Sequence, residues 1–218
     1  MKRALMLCCS LALVLGLADM ARAGNISVSL VSPGSVTSHD GSVYVGPYQL
    51  LVNGTNLSAV CDDYGDEIST GENWTANEVP FTQAGVSAAL FGGAQNADQL
   101  YLEAAYLTSL FNQEPTSDYN DIHFALWGLF NPSALQSSNY DAGAAGFLSL
   151  AESQSLSFSE FQNWEILVPA SGPNRAQEFL VPGGPAATPE PASLLLFGAG
   201  ILGISFLVRR RLPARVNA

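Results

Sequence analysis

In SAVCDDYGDEIS, residues 58–69, a single cysteine, Cys61, is followed by Asp62, Asp63, Asp66 and Glu67 around Gly65. A thiolate is a nucleophile, and crowded carboxylates are an oxygen-rich cradle for a hard cation, with Ca2+ the ion such a set could take. The spacing departs from the calcium loop that has glycine at its sixth position and glutamate at its twelfth, and a solvated acidic turn accounts for the same residues. His123 lies in NDIHFALWGLF, with Trp127 and Phe130 one and two helical turns further on. Cys61 and His123 would form a nucleophile–base pair if the fold brought the side chains together. A small buried hydrophobe and a hydrogen-bonded histidine under a tryptophan are the alternatives. His39, in TSHDGS, adds little to either. The sequence holds no serine elbow, phosphate loop or metal-spaced cysteine set.

These residues must be positioned by two kinds of element. NISVSLV alternates apolar and polar residues, and SVYVGPYQLLV carries β-branched and aromatic residues, so both predict strands. Asn53-Gly54 predicts a tight turn leading into a further strand, TNLSAVC, which ends on Cys61. From Thr82 the period becomes helical. Leu100, Ala104, Leu107 and Phe111 recur on one face, with Leu110 beside them. Ile122, Ala125, Leu126, Leu129 and Phe130 form a second such face, with Ser117 or Asp118 as its cap and Asn131-Pro132 as its end. DAGAAGFLSLAES predicts a weaker helix, and NWEILVPA and AQEFLV return to strand character. Strands, then helices, then strands predict a single α+β domain with N-terminal antiparallel strands, a central helical segment and closing strands.

The chain begins Met1-Lys2-Arg3, runs apolar from Ala4 to Leu17 and reaches Ala21-Arg22-Ala23. A basic head, a short apolar stretch and a small-x-small site predict a signal peptide over residues 1–23, cleaved after Ala23. Cys8 and Cys9 leave with it, so Cys61 is the one cysteine of the mature chain and an intrachain disulfide is excluded. A free thiol, an intermolecular bridge or a special adduct remain open for it. Between Gly24 and Thr188 there are seventeen acidic residues and one basic residue, Arg175. Such a surface repels phosphate backbones and excludes nucleic acid as a partner. Residues 24–181 are long enough to bury one sizeable core and form the expected acidic extracellular domain.

Residues 182–191, PGGPAATPEP, predict a linker that contains Pro189-Glu190-Pro191. Residues 192–208 then hold no charge and two serines, and Arg209, Arg210 and Arg211 follow. A helix of this length spans roughly 26 Å, close to the roughly 30 Å of bilayer hydrocarbon. It predicts a C-terminal transmembrane helix, with the arginines as the stop and a basic cytoplasmic tail over 209–218.

Two resemblances rest on these residues. AVCDDY, YLEAAYLTSLF and HFALWGLF together resemble bacterial surface thioester domains over roughly residues 48–130. In those domains a cysteine near a strand end joins a glutamine that opens a Gln-x-Ala-Ile-Trp-like motif. Cys61 stands at the cysteine position, Ala125, Leu126 and Trp127 match the second motif, and His123 replaces the glutamine. An imidazole offers no carboxamide to a thiolate, so the resemblance implies the fold without the thioester. The segment from Thr188 to Arg211 closely resembles the PEP-CTERM sorting signal of Gram-negative bacteria: a Pro-Glu-Pro triplet, a glycine-bearing apolar helix and an arginine cluster. That resemblance implies an exosortase as partner, transient anchoring in the inner membrane, then transfer or release to the cell surface or matrix, where such proteins accompany exopolysaccharide and biofilm. The expected protein is a non-enzymatic surface or matrix component. Its alternatives are an adhesin-like thioester-domain relative and a cation-dependent binding module.

Overall fold

Asn25–Ser32 buries every second side chain through Leu30 and forms β1, the first strand of a closed six-stranded antiparallel barrel. In the computed structural model the described residues are 25–34, 36–170 and 176–183. The signal site with Ala21 and Ala23, the triplet Pro189, Glu190 and Pro191, the 192–208 span and Arg209, Arg210 and Arg211 lie outside them. Among the described residues no helix is long and apolar enough to cross a membrane.

The remaining strands are β2 (Val36–Thr37), β3 (Tyr44–Val45), β4 (Tyr48–Val52), β5 (Thr55–Cys61), β6 (Asn73–Pro80), β7 (Glu165–Pro169) and β8 (Phe179–Val181). Between β6 and β7 the chain inserts α1 (Gln83–Val86), α2 (Ala97–Leu110), α3 (Tyr119–Phe130) and α4 (Ala142–Glu152). The barrel order is β1-β4-β5-β8-β7-β6, closing back onto β1, and β2 and β3 form a separate two-stranded ribbon. The mixed strand and helix character thus follows the sequence pattern, whereas closure does not. It comes from the last two strands, which pair with each other and fill the gap between β5 and β6.

Local chemistry sets the register. Asn53 and Gly54 have φ of 46° and 84°, and Val52 faces Thr55 across the turn. Two left-handed residues match the twist of the flanking strands, which is why Asn-Gly joins β4 to β5. Alternation then sends Ile26, Val28, Leu30, Leu50, Val52, Ala59, Cys61, Leu167, Phe179 and Val181 into one buried cluster inside the barrel. Val60, Ile166, Val168 and Leu180 point the other way and join a second cluster with the helices. The helical insertion therefore covers the outer face at β5, β7 and β8, while Leu51 on β4 stays 36% exposed.

The α3 helix differs from the one-sided face its sequence predicts. Every residue from Ile122 to Trp127 is buried, because α2, α4 and the β2–β3 ribbon pack around it. Its start also differs: a 3₁₀ turn at Thr116–Asp118 leads into it, and neither Ser117 nor Asp118 caps it through a side chain. The strand β6 has no counterpart in the sequence reading. NWTANEVP buries only Ala76 completely, so its apolar signal is weak.

Candidate functional site

Cys61 ends β5 and His123 lies one turn into α3, and the two elements bring them together through the backbone. The His123 Nε2 stands 2.8 Å from the Cys61 carbonyl oxygen, and the Gly46 N–H donates to Nδ1 at 2.9 Å. An amide N–H needs an acceptor, so Nδ1 carries the lone pair and Nε2 carries the proton it donates to Cys61. Both ring nitrogens are thereby spent on main chain. The ring stacks on Trp127 with centroids 4.0 Å apart and meets Phe111 and Tyr48 edge-on. Burial pushes its pKa down to about 4, against the partial support of the Cys61 carbonyl, so it is neutral at physiological pH.

Gly46 makes this arrangement possible on two counts. Its φ is 90°, and a Cβ there would lie 2.6 Å from the Tyr119 ring. Only glycine takes that backbone without strain and lets the amide reach the imidazole.

The thiol is equally constrained. Cys61 is fully buried and its Sγ donates to the Asp63 carbonyl at 3.2 Å. Burial first, and the neighbouring Asp62 carboxyl second, push the thiol well above its ordinary pKa. A nucleophilic cysteine requires the opposite, a lowered pKa and access. Cys61 and His123 are thus joined through the Cys61 carbonyl, while the thiol donates to the Asp63 carbonyl.

The acidic segment divides. Asp62 is fully buried and faces Glu178; Asp63 is buried and accepts the Gly65 N–H at 3.0 Å; Asp66 is half-buried and Glu67 exposed. The buried Gln177 side chain donates to the carbonyls of Asp63 and Asp66, pinning the turn from the segment that leads into β8. The group of three or more metal-ligating side chains that converges among the described residues is His39, Asp121 and Asp141, so Asp62, Asp63, Asp66 and Glu67 do not gather round one point.

Glu178 and Tyr101 complete a site that the sequence motifs did not reveal. The Tyr101 hydroxyl donates to Glu178 Oε1 at 2.5 Å, and the Leu90 N–H donates to Oε2 at 2.7 Å. The Phe91 N–H in turn donates to the Tyr101 oxygen at 3.1 Å. No conventional donor reaches either Asp62 oxygen. Two carboxylates cannot both ionise in so dry a place, so the pair shares a proton. Burial pushes Glu178 up to about 7 and Asp62 well above its usual range. Above about 7 the charge rests on Glu178, which has two donors, and the proton on Asp62; below it Glu178 takes up a proton as well. An apolar recess of about 260 Å³, lined by residues including Leu90, Phe91, Leu100, Leu129 and Phe130, opens beside these amides. A glutamate within the apolar run EFLV was the available signal in the sequence.

The described part is thus a six-stranded antiparallel barrel with a helical insertion over one side. Residues 187–211 match the family model of the PEP-CTERM protein-sorting motif. The match implies an exported protein, a membrane-anchored precursor and an exosortase as processing partner. It covers the C-terminal segment and does not extend to the barrel. No curated protein and no solved structure gives a significant match to the chain.

Proposed function

We propose that this protein is a non-enzymatic surface or extracellular-matrix component of a Gram-negative bacterium, delivered by an exosortase and working among extracellular polysaccharide. The observation that carries the proposal is the sorting match over residues 187–211. The triplet follows the last barrel strand in sequence, so it can be read and cut without unfolding the barrel. The geometry at Cys61 supports a non-catalytic role. Its histidine neighbour has both nitrogens engaged by main chain, and its thiol is buried and protonated. The acidic surface also suits a hydrated matrix rich in free cations.

The test replaces Pro189, Glu190 and Pro191 with alanine and follows the chain by blotting in fractionated cells. The wild type yields a shortened species at the surface or in the medium, and the variant a longer species in the membrane fraction. Equal length and equal location of the two chains would overturn exosortase delivery. Sedimentation of the exported protein with exopolysaccharide from the same cells tests the matrix role, which fails if the protein stays in the supernatant.

A further inference from the structure

Away from Cys61, three segments far apart in sequence place ligand-bearing side chains at one point. His39 lies in the turn between β2 and β3, Asp121 in the first turn of α3, and Asp141 immediately before α4. One ligand atom from each lies within 4.8 Å of the others, with His39 Nδ1 3.9 Å from Asp141 Oδ2. We propose that His39, Asp121 and Asp141 form a binding site for a divalent transition-metal ion such as Zn2+, which clips the β2–β3 turn to the two helices.

The surrounding hydrogen bonds orient each ligand. Asp141 Oδ1 caps α4 by accepting the Gly143 N–H at 2.7 Å and the Ala144 N–H at 3.3 Å, which leaves Oδ2 turned to His39. Asp121 Oδ1 accepts from Asn120 Nδ2 at 3.0 Å. The buried Asn120 also donates to the Asn139 carbonyl and accepts the His39 N–H at 3.2 Å, so one amide ties all three segments. The neighbouring turn is fixed again by the Asp40 N–H, which donates to the buried Asn139 at 3.0 Å. Fixed outer partners of this kind are what hold metal ligands in place.

Gly143 lets the Asp121 carboxylate come close to the start of α4, beside Asp141. A Cβ on it would stand 2.0 Å from Asp121 Oδ2 and 3.1 Å from Asp141 Oδ1. Two carboxylates at this spacing need a counter-charge. The described residues contain no lysine or arginine, and among them His39 is the basic side chain that converges on the pair. A divalent ion neutralises the pair, and the imidazole selects a transition metal over Ca2+, which prefers an all-oxygen shell. Ligand atoms around an ion at about 2.1 Å stand about 3–4 Å apart. Small rotations of His39 and Asp141, each half-exposed, bring them there.

The experiment uses the full-length chain, purified in detergent without a histidine tag and stripped with chelator, with Zn2+, Mn2+ and Ca2+ as separate titrants in a calorimeter. One equivalent of Zn2+ is expected to bind, at least tenfold tighter than Ca2+. His39→Ala and Asp121→Asn are expected to weaken it at least tenfold. Asp141→Asn should do the same while keeping the helix, because asparagine caps equally well. Cys61→Ser is expected to bind like the wild type, and circular dichroism checks that every variant is folded. No Zn2+ binding by the folded wild type would overturn the proposal. So would affinity unchanged in folded His39→Ala and Asp121→Asn, or a site that prefers Ca2+ and ignores loss of His39. None of these outcomes touches exosortase delivery, which the blot reads separately.

Discussion

At the scale of single residues, His123 ties the Gly46 N–H to the Cys61 carbonyl. Replacing it with alanine strands the buried Gly46 N–H and Cys61 carbonyl and opens a cavity beneath Trp127. Two orphaned backbone groups and a lost ring predict destabilisation of roughly 3–5 kcal/mol, measured by urea unfolding. A loss below about 1 kcal/mol would show the ring to be dispensable. Cys61 makes a second residue-scale prediction. A folded chain without residues 1–23, in which Cys61 is the one cysteine, should not react with a thiol reagent at pH 8, and one thiol should appear on denaturation, since the fully buried Sγ is protonated and donates to Asp63. Rapid labelling of the native state would contradict the burial.

The carboxyl pair gives a pH dependence whose sign follows from proton counting. Glu178 titrates near about 7 when folded against 4.5 for the ordinary side chain, so the folded state binds the extra proton between those values. Its contribution is fully present below about 4.5 and is lost as pH rises through about 7. His123 acts in the opposite sense. Its pKa falls from 6.5 to about 4 on folding, so its contribution is present above 6.5 and is lost as pH falls towards 4. The two overlap, so the wild-type profile alone does not separate them. The difference in stability between wild type and Glu178→Gln is expected to shrink as pH rises from 5 to 8. A difference that is flat or grows over that range would remove Glu178 from the account.

At the scale of elements, the site depends on how the β2–β3 ribbon meets α3. Gly46, just past β3, adopts a φ of 90° against the Tyr119 ring. Alanine there meets both a left-handed backbone penalty and a close contact, together roughly 3 kcal/mol. The expected outcome is a lower midpoint for Gly46→Ala, with the change smaller in His123→Ala, where the amide has already lost its partner. Strict additivity of the two substitutions would break this link. The elements themselves were largely legible. TNLSAVC forms β5 as read, and Ala97–Leu110, Tyr119–Phe130 and Ala142–Glu152 are helical where periodicity placed them. The miss was β6, whose polar NWTANEVP carries little alternation because most of its side chains are not fully buried. The environment of α3 was also misjudged. A helix packed between others shows no single apolar stripe, so the pattern picks out one face of an element whose middle, Ile122 to Trp127, is buried all round.

At the scale of the molecule, the last strand closes the barrel. The three residues of β8 are buried and pair with β5 and β7 at once. A chain truncated after residue 174 is expected to lose its cooperative thermal transition, because β5 and β7 become open edges and Phe179 leaves the core. A chain ending at residue 184 is expected to melt like the processed protein. Equal melting of both truncated chains would show that closure is unnecessary. The same design separates sorting from folding: a cut near Pro189 falls beyond the last barrel strand at Val181.

The sequence by itself determined how the protein is delivered. A sorting signal is read as a linear order of residues, so Pro189-Glu190-Pro191, the apolar run and the arginines carry their meaning without a fold, and residues 187–211 match accordingly. The sequence also determined where β5 and α3 lie, because periodicity and turn chemistry are local. Whether Cys61 and His123 meet is a matter of contact between residues 62 apart in the chain, and only the tertiary structure decided it. It joined the imidazole to the Cys61 carbonyl instead of the thiol. It also paired Asp62 with Glu178, and drew His39, Asp121 and Asp141 together from three separate segments. Burial and long-range proximity set the charge and reactivity of these groups, and neither is a property of any short stretch of sequence.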